Sequence, residues 1–198
     1  MPLRTTDGDD ELVVAGFVVS VPTAPPPGVE GVAPDCFVTV SPHLHDAPTP
    51  EWWDWFTEPA EAEACRASAG PQGRVLTVAM RRGDADTLMR EHGGAAQPYY
   101  ALLRDGVPAA HGAVVLGHEV VGVEAFSFHS WHCYGYAAQV RVTLGVEVND
   151  LGLLDRYDDA VRVRDWMLAR PPTEQPPPVP WIVLTLVEGT AAFVEPGE

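Results

Sequence analysis

Apolar residues in this chain gather in runs of strand length, set apart by proline and glycine. Leu12–Val21 (LVVAGFVVSV) is β-branched and almost continuously apolar, and Trp181–Val187 (WIVLTLV) has the same character, so both read as buried strands. Arg74–Met80 (RVLTVAM) alternates well enough for another strand. Ala113–Phe126 holds one or two more, with Gly117 the expected break and His118–Phe126 the stronger unit. Cys36–Val40 is a short strand candidate, and Tyr99–Leu103 a further one leading into the turn Asp105-Gly106.

Helical segments lie between these runs. Thr49-Pro50 opens the stretch Glu51–Ala69, which Pro59 splits into an aromatic turn and a helix from Pro59 to Ala69, with Gly70 as terminator. Asp84–Glu91, Ser130–Leu144 and Tyr157–Ala169 are the other helices expected. Pro22–Pro34 is a loop of polyproline character, and Pro171–Pro180, with six prolines, a rigid connector. The elements are interspersed without a regular βαβ repeat, and several connections resemble hairpins. The expectation is an α+β fold, a mixed or largely antiparallel sheet with helices packed on it. Its 198 residues suit one domain over 12–198, behind a polar, frayed N-terminus at 1–11.

Composition narrows the partners. An apolar share of 46% is ample for a core and excludes a disordered regulator. Net charge is −16, and all 12 basic residues are arginine, a pattern that fits a GC-rich bacterial coding sequence. So negative a chain lacks the phosphate-neutralising surface that nucleic acid or an anionic membrane requires, whereas it attracts basic proteins at long range. Cys36, Cys65 and Cys133 are too few and too scattered for a disulfide framework or a four-cysteine zinc site. No apolar region of signal-peptide type precedes the acidic run near the N-terminus, so a cytoplasmic protein is expected. Neither HExxH nor CxxC occurs, and Gly93-Gly94 and Asp105-Gly106 are turn chemistry rather than phosphate loops. No cofactor is expected.

The densest group of reactive side chains is Ser127-Phe128-His129-Ser130-Trp131-His132-Cys133, where a strand passes into the helix expected at Ser130–Leu144. Ser130 suits the N-cap, and Cys133, Ala137, Val140 and Leu144 then share one helix face, with Cys133 toward the core and His129 and His132 flanking the strand–helix junction. Three readings compete. Cys133 beside histidines can act as a nucleophile, with Asn149 or Asp150 orienting a histidine. His129 and His132, with His43 and His45, can bind a transition metal. Or the corner is structural: Cys133 packs, Ser130 caps and the aromatics seal it. We adopt the third. Trp52, Trp53 and Trp55 form a second group; one of them exposed among Glu51, Asp54 and Glu58 would anchor an interface, although a wedge in the core is the simpler role.

The stretch Gly117–Leu154, GHEVVGVEAFSFHSWHCYGYAAQVRVTLGVEVNDLGLL, resembles a segment of small bacterial immunity proteins that neutralise polymorphic toxins. The matching residues are Glu119, Gly122, Phe128, His129, Ser130, Trp131, Cys133, Asn149, Gly152 and Leu153, within 38 of the 198 residues. The resemblance implies an intracellular inhibitor that binds a toxin domain through a large surface without catalysis. Its expected partner is a basic protein, with Trp52, Trp53, Trp55, Phe128, His129, Ser130, Trp131, His132, Cys133 and Asn149 as candidate binding residues. The alternatives are a metal- or thiol-dependent enzyme centred on the FHSWHC segment and a structural accessory subunit of a larger assembly.

Overall fold

The computed structural model describes residues 11–45, 48–50, 55–92, 100–109, 113–123 and 128–189, without the side chains of 91 and 92. Five strands make one open sheet: β1 (Leu12–Ser20), β2 (Arg74–Arg81), β3 (Val115–Val123), β4 (Phe128–Ser130) and β5 (Trp181–Glu188). Their order is β1-β2-β5-β3-β4, and every pairing between them is antiparallel. The helices are α1 (Pro59–Arg66), α2 (Arg82–His92), α3 (Ala101–Asp105), α4 (Ala137–Leu144) and α5 (Tyr157–Leu168). This is an α+β fold. Among the described residues no helix is long and apolar enough to cross a membrane. The frayed N-terminus expected at 1–11 falls, but for Glu11, outside the described residues.

The continuous apolar character of β1 and β5 has a direct cause: the sheet is covered on both faces. On one side Val13, Val18, Leu76, Val78, Val121, Leu184 and Leu186 pack with Val38, Val40 and Trp55 from loops and with Ala85 and Leu88 of α2. On the other, α4 and α5 cover Val120, Trp181 and Val183, while α1 and Phe56 cover Val14, Phe17 and Val75. An antiparallel sheet usually shows one polar face; here neither face is free, so alternation is lost from the sequence.

Three of the strand expectations differ. Cys36–Val40 is not a strand: its backbone makes one isolated bridge, Thr23 to Phe37, and Val38 N–H donates to Leu151 O at 2.9 Å. The segment is buried by side-chain and loop contacts, which mimic a strand's apolar pattern. The strand expected at Tyr99–Leu103 is absent over its described residues, Tyr100–Leu103, because Ala101–Asp105 forms the short helix α3, ended by Gly106 at φ 65°; Tyr99 lies outside the described residues. Gly117 does not split its run; it marks a register shift within β3, between Val115 and Gly117 opposite β5.

Candidate functional site

The reactive segment from Phe128 to Cys133 occupies β4 and the turn after it; Ser127 lies outside the described residues. Val121, Gly122 and Val123 of β3 face Ser130, His129 and Phe128 of β4. Strand alternation buries Phe128 and Ser130 and leaves His129 half-exposed between them. Ser130 ends the strand and caps a single tight helical turn, Trp131–Tyr134, its Oγ accepting from His132 N–H at 3.2 Å. That turn stops at Gly135, whose φ of 67° lies in the left-handed region that closes helices, and α4 begins only at Ala137. The continuous helix expected over Ser130–Leu144 is therefore two pieces, and Cys133 does not share a helix face with Val140 and Leu144.

The interruption reverses the expected orientations. His132, not Cys133, enters the core: it is 3% exposed, and its Nε2 lies 2.9 Å from Gly152 O. A carbonyl oxygen only accepts, so Nε2 carries the proton, and Nδ1 is left buried with no hydrogen-bond partner. Burial outweighs the Gly152 contact and lowers its pKa to about 4, so the ring is neutral at physiological pH. Phe37 meets the imidazole edge-on, with centroids 5.2 Å apart, and Trp131 lies against it at 4.2 Å. Cys133 is half-buried, 3.6 Å from Ser41 Oγ. Burial raises its thiol pKa above the ordinary value, which disfavours the thiolate a nucleophile needs.

A buried carboxyl anchors the corner. Glu119 of β3 is 0% exposed; Thr39 Oγ1 donates to its Oε1 at 2.5 Å, Val40 N–H donates to its Oε2 at 2.9 Å, and Ser130 also bonds the carboxyl. Ser41 extends the network, its N–H donating to Thr39 Oγ1 and its Oγ to Phe128 O. Burial raises the Glu119 pKa in spite of these bonds, which favours the protonated acid. The network fastens the segment 37–41 across β3 and β4 and explains why that segment needs no strand partner. Sequence reasoning noted Glu119 only within the resemblance and missed Thr39 and Ser41 as its partners. The available signal was a carboxylate inside the apolar run of β3.

Asn149 closes the far side. Its Oδ1 accepts from Leu151 N–H and Leu153 N–H at 3.0 and 3.1 Å, and its Nδ2 donates to Leu116 O and Asp155 Oδ1. The turn presents Gly152 O to His132. Gly152 has φ 82°, and a Cβ there would stand 2.4 Å from Phe37 Cδ2, so the turn approaches the 37–41 segment as closely as only glycine allows.

The other candidates are placed as follows. His129 stacks on His43 with centroids 4.5 Å apart and rings 9° from parallel, whereas His132 is turned into the core. Among the described residues no three His, Cys, Asp or Glu side chains are gathered to hold a metal ion, so His129, His132, His43 and His45 do not form the ligand set of the alternative metal reading. Trp55 is 0% exposed and stacks on Phe128 at 4.4 Å; it is a core wedge rather than an exposed anchor. Trp52 and Trp53 lie outside the described residues. Phe128, Ser130, Trp131 and His132 are buried, which removes Phe128, Ser130 and His132 from the contact surface and leaves Trp131 only as part of a cavity wall. Asn149 is likewise committed to its own turn. Comparison with protein-family models, with curated proteins and with solved structures found no match.

Proposed function

We propose that the chain is a non-enzymatic intracellular binding protein, an immunity-type inhibitor that covers a basic toxin domain with its acidic exterior. The observation that carries this reading is the internal use of the reactive side chains. His132 is spent on Gly152 O, Ser130 on capping and on Glu119, and the Glu119 carboxyl on Thr39 and Val40. Groups held in this way shape the corner and leave recognition to the surface, where a net charge of −16 steers and orients a basic partner. The partial likeness of Gly117–Leu154 to immunity proteins supports the same reading.

The test is a binding titration against basic proteins encoded beside this chain's gene. Tight, stoichiometric binding that weakens as salt is raised is the expected result. No binding by any such product at low ionic strength would end the proposal.

A further inference from the structure

A cavity of about 400 Å³ opens between the proline-rich loop and α4, beside the sealed corner. Its walls include Glu30, Trp131, Arg141, Val146, Glu147 and Asp150. The volume falls within the range of small-ligand pockets. Three carboxylates and one guanidinium line it, and Glu147 as well as Glu30 acts on Arg141. Arg141 is engaged by Glu30, through Nη2 to Oε1 at 2.9 Å and through Nη1 to Oε2. That pair lowers the Glu30 pKa and raises that of Arg141, and it accounts for one negative charge. Glu147 and Asp150 remain exposed, and neither makes an ion pair or side-chain hydrogen bond among the described residues. In the same wall Trp131 is 1% exposed, and its indole Nε1–H is buried with no acceptor.

An occupant that completes this site must bring a cation for the two unpaired carboxylates and an oxygen for the indole N–H. A cation alone supplies only the first, and an anion is opposed by the surplus of carboxylates. An arginine residue in a peptide supplies both, through its guanidinium and a main-chain carbonyl. Its planar fork of donors also matches carboxylates better than an ammonium does, as the two-point contact of Arg141 with Glu30 shows at this rim.

We propose that this cavity receives an arginine side chain from a protein partner, with Glu147 and Asp150 binding the guanidinium and Trp131 Nε1–H donating to the peptide carbonyl. The proposal rests on the reading of the chain as a binder of a basic protein, and it assigns that partner's point of entry.

The probe is N-acetyl-Gly-Arg-Gly-amide, titrated into the ¹⁵N-labelled protein, with the citrulline peptide as the uncharged control. The Trp131 indole signal is assigned by its loss in Trp131→Phe. The expected result is a saturable shift of that signal by the arginine peptide and at least a tenfold weaker effect of the citrulline peptide. In a Glu147→Gln/Asp150→Asn variant the response to arginine should fall by tenfold or more while the remaining spectrum is unchanged. No shift, equal shifts from both peptides, or an undiminished response of the double variant would overturn the proposal. The same variant, titrated with a basic neighbour-encoded protein, separates the two readings. Full-strength binding to the variant with no peptide effect sinks the pocket and keeps the inhibitor reading. A peptide effect without any basic protein partner does the reverse.

Discussion

At the scale of single residues, Glu119 and His132 are the two buried ionisable groups that hold the corner, and they push stability in opposite directions as pH changes. A carboxyl whose pKa is raised in the folded state stays protonated when the unfolded chain has already released its proton. Stability therefore falls as pH rises above the ordinary value of 4.5 toward the folded one. A histidine lowered to about 4 does the opposite: below 6.5 the unfolded chain takes up a proton that the folded chain refuses, so stability falls as pH drops from 6.5 to about 4. His118 on β3, lowered to about 4 by burial and by Arg81, adds to the acid loss. For a shift of this size the loss from His132 alone is on the order of 3 kcal/mol by pH 4. Glu119→Gln should keep the fold, because an amide supplies an acceptor for Val40 N–H and a donor for Thr39, and it should abolish the decline above pH 4.5. Urea unfolding midpoints measured across pH for both proteins would show the wild type losing stability relative to the variant as pH rises; parallel curves would mean the carboxyl is not buried. Glu119→Ala should cost about 3 kcal/mol, since it strands several buried donors.

The element scale is governed by the contact between the 149–155 turn and the segment 37–41. Gly152→Ala places a methyl against the Phe37 ring at a backbone angle that side chains rarely adopt. The expected cost is on the order of 2–4 kcal/mol, read from the denaturation midpoint. The turn also presents Gly152 O to His132, a contact that raises the imidazole pKa against burial, so displacing that carbonyl while the ring stays buried should move the His132 titration further below its ordinary value, which an NMR titration would register. Cys133 belongs to the same corner. Its raised pKa and its contact with Ser41 predict slow alkylation at neutral pH in the native protein and fast alkylation in denaturant. Rapid modification of the folded form would argue for an open, chemically competent corner.

For the molecule as a whole, the outer edge of β1 is covered by loops. Val14 N–H donates to Val107 O, Phe17 and Phe56 exchange two backbone bonds, and Ala109 N–H donates to Leu12 O. Loops thus occupy the edge that would otherwise invite strand addition. The amides of Val14 and Phe17 should exchange hydrogen about as slowly as those of the central strand β5; fast exchange at both would show the edge to be open. Strand addition at β1 is therefore disfavoured, and under the proposed inhibitor reading a chain of net charge −16 should bind its partner with an affinity that weakens with salt.

Local chemistry was enough to place β1, β2, β5, α1 and α5, because runs such as WIVLTLV and breakers such as Pro59, Gly70 and Pro171 act within a few residues of chain. The Ser130 cap was legible for the same reason. What happened next to it was not: Gly135 at φ 67° ends the turn, and the orientation of His132 is fixed by a carbonyl 20 residues away. The roles of Thr39 and Ser41 likewise depend on groups 80 and 87 residues distant along the chain. Sequence determines which residues favour strand, helix or turn, since those preferences are local. Only the tertiary structure decided which polar groups were satisfied inside, because burial and partnership arise between segments that the sequence keeps far apart.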